Sequence, residues 1–128
     1  MIRDQKLWAW HIVAGLIILV LLGLHMVTMH LEGLVPLRVL NPVVGKAPID
    51  WENVVARGKA VTMPVIYVLL LGAALFHGLY GFTNIVREAN PPRWLARTVT
   101  ALAVVVGLGL FALGSWAAVA AHLLARKL

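Results

Sequence analysis

The chain has 128 residues, of which 62% are hydrophobic and 12% are charged, and its formal net charge is +6. Soluble domains are closer to half apolar and a quarter charged, so this composition indicates a membrane protein. The absence of cysteine excludes disulfides, iron–sulfur clusters and thiolate zinc sites within the chain. The basic residues lie at the edges of apolar runs, where they contact headgroups, so the positive charge does not indicate nucleic-acid binding.

Three runs without Asp, Glu, Lys or Arg cover residues 7–31, 60–86 and 98–125. Each is longer than the roughly 20 residues that cross a bilayer. The first is also too long for the apolar core of a signal peptide, about 7–15 residues, so we expect it to span the membrane. We predict an all-α membrane protein that forms one domain over residues 1–128. Its transmembrane helices are expected at about 7–31, 62–87 and 97–125, with an outer loop at about 32–61.

The elements between and within these runs carry their own signals. Trp8 and Trp10, at the start of the first helix, are typical of a membrane interface. In the outer loop, residues 50–57 predict a short surface helix that starts at Asp50. The second helix is expected to stop before Asn90, which two prolines follow. The third helix contains small residues suited to close helix packing: Gly107, Gly109, Gly114 and Ser115.

The orientation of the chain in the membrane and its assembly with other chains are indicated less directly by the sequence. With the N-terminus in the cytoplasm, five basic residues lie inside and six outside, but the inner ones are in shorter segments, which favours this orientation. Three helices alone offer few inward-facing positions for polar side chains. We therefore expect partner subunits to cover those side chains in a larger heterooligomeric helix bundle.

His77 lies deep within the second apolar run, where a polar side chain is costly and commonly functional. Gly81, four residues later, lies on the same helix face and leaves the backbone bare. An imidazole beside bare backbone suits a flat porphyrin, so His77 is a candidate axial ligand of haem. We expect its other ring nitrogen to bond a carbonyl of the same helix near Ala73. Basic residues at the helix ends are candidate partners of haem propionates, or plain interfacial anchors: Arg87, Arg57 and Lys59.

Of the other histidines, His25 is the deepest in the first helix. In antiparallel helices it lies roughly 13 Å from the depth of His77, so the two cannot easily share one haem. Each could hold one of two haems, with the opposite ligands from another chain, because no histidine is expected at the depth of His77. His11 and His25 lie on nearly one face, but a design that uses such a pair needs a second helix with the same spacing. His30 and His122 fit helix-end positions.

Quinone chemistry needs proton donors beside an apolar cleft. Asn84, Arg87 and Glu88 cluster at the end of the second helix, and His30 is a further candidate contact. The alternative is that the cluster is a helix terminus whose side chains contact lipid headgroups.

A family resemblance follows from several of these residues. Residues 50–88 contain a surface segment, then a helix with His77-x-x-x-Gly81, then an acidic residue, Glu88. This order resembles the membrane-anchor subunits of the succinate dehydrogenase/fumarate reductase family. Trp8, Gly15 and His25 resemble the tryptophan, glycine and histidine of the first helix in diheme members. The similarity covers most of residues 8–90.

The resemblance implies a non-catalytic, multi-pass subunit of the cell inner membrane with a cytoplasmic N-terminus. It would bind haem b, two haems in the diheme case, with ligands shared between chains. Its partners would be a flavoprotein, an iron–sulfur subunit, a second membrane anchor, lipid and a quinone, expected to be menaquinone. His77 and His25 would be the iron ligands, and Gly81, Gly15 and Arg87 further haem contacts.

Two positions depart from the family's pattern. Ala89 follows Glu88 where many members have a tyrosine that contacts quinone, and Leu75 replaces a glutamate linked to proton movement in some diheme members. Two other readings stay open: an anchor with a single haem on His77, and a haem-free accessory subunit of another respiratory or photosynthetic complex.

Overall fold

The computed structural model describes residues 2–30, 43 and 45–128, and all regular secondary structure in this part is helical. There are four helices: α1 (Ile2–His30), α2 (Trp51–Lys59), α3 (Thr62–Glu88) and α4 (Arg93–Ala125). The expected end of the first helix near Glu32 lies outside the described residues.

Three of the helices are long and apolar enough to cross a membrane: Gln5–His30 within α1, all of α3 and all of α4. This confirms the prediction of an all-α, three-span protein. α1 begins five residues before the predicted span and α4 begins four residues before it. The difference arises because uncharged runs mark the hydrocarbon core of a bilayer, whereas backbone hydrogen bonds continue a helix into the headgroup region.

The short helix α2 confirms the surface helix predicted after Asp50. Asp50 does not cap the first turn with its side chain; Oδ2 accepts a hydrogen bond from the Ala47 backbone N–H at 2.8 Å instead. Asn53 is fully buried, accepts from the Val43 N–H at 2.9 Å and donates to carbonyl oxygens at 3.1–3.4 Å. These bonds fasten the preceding loop to α2.

The far end of α4 holds α2 in place. Nδ1 of His122 lies 2.7 Å from the carbonyl oxygen of Gly58, and His122 is buried. A Cβ added to Gly58 would lie 2.8 Å from Cβ of Ala125, so only glycine lets the two helices come this close. Arg57 is also buried, and its Nη2 donates to the Pro48 carbonyl at 2.7 Å. Arg57 therefore secures the loop around α2.

The central helix is α3, which packs against both α1 and α4; among the described residues no Cα of α1 lies within 8 Å of a Cα of α4. Small residues bring α3 and α4 together. A Cβ on Gly107 would lie 2.7 Å from Leu79 Cδ1, and one on Gly114 would lie 2.5 Å from Leu71 Cδ2. Gly109, in contrast, faces open space. Two of the three glycines predicted for close packing are therefore used in this way.

Most of the surface of the three spans is open. In the most apolar 18-residue windows of α1, α3 and α4, 11%, 6% and 0% of residues are buried. Large apolar side chains such as Leu19, Leu69 and Leu108 are 57–70% exposed. In a bilayer such surfaces contact lipid or other membrane helices.

Candidate functional site

Two imidazoles meet where α1 packs on α3. The rings of His11 and His77 are almost parallel, with an interplanar angle of 8° and ring centroids 4.0 Å apart. The expectation that no other histidine lies at the depth of His77 is therefore wrong. His11 lies nine residues after the start of α1 at Ile2, and His77 lies eleven residues before the end of α3 at Glu88, so antiparallel packing brings them level. Because α1 starts five residues before the uncharged run, His11 lies deeper in its helix than the start of that run at Leu7 suggests.

Two glycines make this close approach possible. A Cβ on Gly15 would lie 3.2 Å from Cε1 of His77, and one on Gly81 would lie 3.3 Å from Cε1 of His11. Each imidazole thus packs on the glycine of the opposite helix. His-x-x-x-Gly occurs in both helices, and in an antiparallel pair this repeated pattern aligns each histidine with the other helix's glycine. The bare strip beside Gly81, expected to suit a porphyrin, is covered by His11 in this structure.

A hydrogen bond fixes the orientation of the His77 ring. Its Nδ1 lies 3.1 Å from the backbone carbonyl oxygen of His11. The acceptor is thus in α1 and not, as expected, in the same helix near Ala73. Because a carbonyl oxygen only accepts, Nδ1 carries a proton, and in the neutral imidazole the lone pair is then on Nε2. Nε2 of His77 makes no hydrogen bond within the described residues, and the atom is not fully buried. It is therefore accessible.

Aromatic side chains complete the surroundings of the histidine pair. The ring of Tyr80 lies 5.3 Å from that of His11, and Phe76 lies 5.6 Å from Tyr80 in a nearly parallel orientation. Nδ1 of His11 is buried and has no hydrogen-bond partner in the described part of the chain. His11 and Tyr80 were not singled out from the sequence as site residues, although the repeated His-x-x-x-Gly pattern pointed to His11.

His25 lies apart from this pair. It is exposed on α1 and lines a small crevice of about 40 Å³ between α1 and α3, together with Ile66, Tyr67 and Leu70. Ile66 and Leu70 precede His77 by eleven and seven residues, which corresponds to roughly 10–17 Å along α3. No group of three or more His, Cys, Asp or Glu side chains arranged to hold a metal occurs in the described residues.

An apolar groove of about 510 Å³ lies between α3 and α4, with Leu7 of α1 at its edge. Its polar lining consists of Tyr80, Thr83, Arg87 and Thr100. Nη2 of Arg87 donates to Oγ1 of Thr100 at 3.2 Å, which holds the guanidinium against the groove wall.

The structure separates the predicted quinone contacts. Arg87 lines the groove, whereas Asn84 and Glu88 lie near it on α3 without lining it. His30 is the last residue of α1 and, because α1 and α3 are antiparallel, lies at the opposite end of the molecule. It cannot contribute to a site that contains Arg87.

Comparison with known proteins finds no matching family model, no similar curated protein and no similar solved structure. The fold by itself does not indicate an activity, because three apolar helices serve many functions. A functional assignment therefore depends on the histidine pair, the groove beside it and the resemblance carried by individual residues.

Proposed function

We propose that the chain is a haem-binding membrane-anchor subunit of a succinate:quinone oxidoreductase, with Nε2 of His77 as an axial ligand. The observation that supports this most directly is the hydrogen bond from Nδ1 of His77 to the His11 carbonyl. Histidines that bind metals commonly donate their second ring N–H to a carbonyl or carboxylate, which fixes the tautomer and the ring plane. His77 has this arrangement within a single chain.

The residues around His77 fit a haem ligand in other respects. Nε2 is accessible, the ring is held between α1 and α3, and Phe76 and Tyr80 supply an aromatic, weakly polar environment. Gly15 lets α1 approach closely enough for its backbone carbonyl to reach the imidazole. A haem bound here would supply one-electron transfer. The protein's part is to hold the imidazole in one tautomer and to keep water away.

The second axial ligand comes from another subunit in this proposal. Two histidines that share one iron point their ring nitrogens at each other from opposite sides of the metal. The rings of His11 and His77 instead lie face to face, with their centroids 4.0 Å apart. Their ring nitrogens therefore lie in two parallel planes and do not point at each other. His11 therefore supports His77 through its backbone and ring face and is not the opposite ligand. His25, exposed toward the surroundings of α1, is the ligand proposed for a second haem.

The remaining parts of the proposal concern partners and location. The largely open surface of the three spans leaves room for a second anchor subunit. The basic residues at the adjoining ends of α3 and α4, Arg87, Arg93 and Arg97, favour a cytoplasmic location of that end and of the N-terminus. The chain would then lie in the cell inner membrane and hold the flavoprotein and iron–sulfur subunits at its cytoplasmic face.

The groove between α3 and α4 is the proposed quinone site. Its volume of about 510 Å³ falls within the roughly 300–1,000 Å³ typical of small-molecule pockets. Arg87 and Tyr80 offer donors to a quinone carbonyl in an otherwise apolar lining. Tyr80 also contacts the ring of His11. The groove and the histidine pair are therefore neighbours, as electron transfer between a haem and a quinone requires.

One observation favours a second candidate, the haem-free accessory subunit. The imidazoles of His11 and His77 already fill the space left by Gly81 and Gly15. They pack α1 on α3 without any added group, so the same residues could serve helix packing alone.

A reduced-minus-oxidised spectrum of the complex purified with this chain distinguishes the two candidates. We expect a b-type band that appears on adding succinate, that disappears in His77→Ala and that persists in His30→Ala, where the exposed last residue of α1 is changed. His25→Ala should halve the haem content if two haems are present and leave it unchanged if His77 alone binds one. Absence of a b-type band in the wild-type complex would decide for the haem-free subunit.

A further inference from the structure

Three arginines surround a surface cleft where α3 ends and α4 begins. The cleft has a volume of about 660 Å³, and its basic lining consists of Arg87, Arg93 and Arg97. The structure describes no ion pair for any of the three within residues 2–30, 43 and 45–128, although Glu88 is adjacent in sequence. Arg87 is held by its bond to Thr100, while Arg93 and Arg97 are exposed. The cleft thus carries uncompensated positive charge.

Below the arginines the wall of the cleft is apolar. It consists of Ala96, Ala101, Val104 and Val105 of α4, with the hydroxyl of Thr100 bonded to Arg87, and the two valines are 55% and 67% exposed. From Arg93 to Val105 is twelve residues, or about 18 Å of helix. This is close to one leaflet of a hydrocarbon core that is roughly 30 Å thick. The cleft is therefore charged at the membrane edge and apolar over the depth of one leaflet.

We propose that this cleft binds one anionic phospholipid, with the phosphate on Arg93 and Arg97 and an acyl chain along Ala101 and Val105. The planar guanidinium offers paired donors that match phosphate oxygens. The N-terminal end of α4, at Arg93, adds a positive partial charge in the same place. Anionic headgroups supply the complementary charge.

A lipid fits this cleft better than an acidic protein segment does. A peptide laid along Val104 and Val105 would bring backbone N–H and C=O groups into the hydrocarbon region, where each unpaired group is costly. An acyl chain has no such groups and covers the exposed valines without cost to hydrogen bonding.

The test uses the full-length chain in detergent and native mass spectrometry with palmitoyl-oleoyl phosphatidylglycerol or phosphatidylcholine. We expect one phosphatidylglycerol to be retained in preference to phosphatidylcholine. The double variant R93Q/R97Q should weaken its retention on the order of tenfold. The matched control R126Q/K127Q removes the same charge from the other end of α4, where both residues are exposed, and should change retention less than twofold. Equal losses in the two double variants would overturn the proposal, because retention would then follow net charge alone.

A second pair of variants tests the apolar wall. Val105→Trp fills the cleft, whereas Val106→Trp makes the same change one residue later, outside its lining. Only Val105→Trp should reduce retention of phosphatidylglycerol. Displacement of the lipid by millimolar inorganic phosphate would show a plain phosphate site and overturn the assignment. The assignment would also be overturned if R93Q/R97Q retained phosphatidylglycerol normally but, in the purified complex, lost a partner subunit, because the occupant would then be an acidic protein segment.

Discussion

The imidazole of His11 packs directly on the backbone of Gly81, with Cε1 3.3 Å from the position that a Cβ would take. The same contact recurs in reverse between His77 and Gly15, so two histidine–glycine pairs fix the register of α1 against α3. This register also brings the His11 carbonyl to Nδ1 of His77. A change at either glycine should therefore alter helix packing and the proposed ligand together.

Gly81→Leu should separate α1 from α3, because the new side chain occupies the space of the His11 ring. We expect a loss of about 1–3 kcal/mol in the free energy of unfolding, as for other overpacked sites. Thermal unfolding in detergent, followed by circular dichroism, measures this. Gly78→Leu is the matched control in the same helix, since nothing lies within 4 Å of a Cβ there. If both variants unfolded at the same temperature, His11 would not be packed on Gly81.

In its neutral form His77 should carry its proton on Nδ1, because that nitrogen faces a carbonyl oxygen 3.1 Å away. Solid-state NMR of the chain labelled with ¹⁵N-histidine, without haem, distinguishes the two neutral tautomers by their nitrogen shifts. Two histidines, His77 and His122, have Nδ1 facing a backbone carbonyl oxygen, so two Nδ1–H signals are expected. One of them should vanish in His77→Gln, and both should remain in His25→Gln. A proton found on Nε2 of His77 would remove the main support for its role as an iron ligand.

Gly114→Ala should destabilise the contact between α3 and α4, because its Cβ would lie 2.5 Å from Leu71 Cδ2. We expect a cost of about 1–3 kcal/mol, largely recovered when Leu71→Ala is added, since the smaller side chain vacates the space. A double-mutant cycle of unfolding free energies measures this coupling. Gly109→Ala, at a position open to the surroundings, should show no coupling to Leu71→Ala. Additive costs at Gly114 and Leu71 would contradict the packing described.

Asn53→Ala should release the loop that precedes α2, because it removes a fully buried amide and its bonds to Val43, Lys46 and Ala47. Leaving those backbone groups unpaired costs about 1–3 kcal/mol each when they stay buried. Faster hydrogen exchange and cleavage by protease within residues 45–59 would report the change. Glu52→Ala, which loses an exposed ion pair with Lys46 at 3.5 Å, should leave both rates nearly unchanged. Equal protection in the two variants would count against the role of Asn53.

The three spans and the surface helix could be predicted because each depends on a local pattern. Long uncharged runs identify the spans. For α2, the pattern is a short segment that starts at a capping residue. Both α1 and α4 start before the spans predicted for them, because charged residues such as Arg93 extend a helix beyond the hydrocarbon core at little cost.

The histidine pair could not be predicted from the depth of each residue alone. The depth of His11 depends on where α1 begins, and the uncharged run from Leu7 does not reveal that α1 starts at Ile2. The register of two helices depends on how their side chains fit, and here glycine opposite histidine decides it. The carbonyl partner of His77 could not be predicted for the same reason. The acceptor is in the neighbouring helix α1 and not four residues away in α3.

The central place of α3 has a consequence for how the chain is made. Within the described part of the chain α1 packs on α3, and about thirty residues separate the end of α1 from the start of α3. Synthesis proceeds from the N-terminus, so α1 enters the bilayer before its helical partner exists. Until α3 is inserted, the polar ring of His11 meets lipid, the translocation machinery or a subunit already in place. Packing between the spans of this protein can therefore begin only when α3, the second span, has been inserted beside α1.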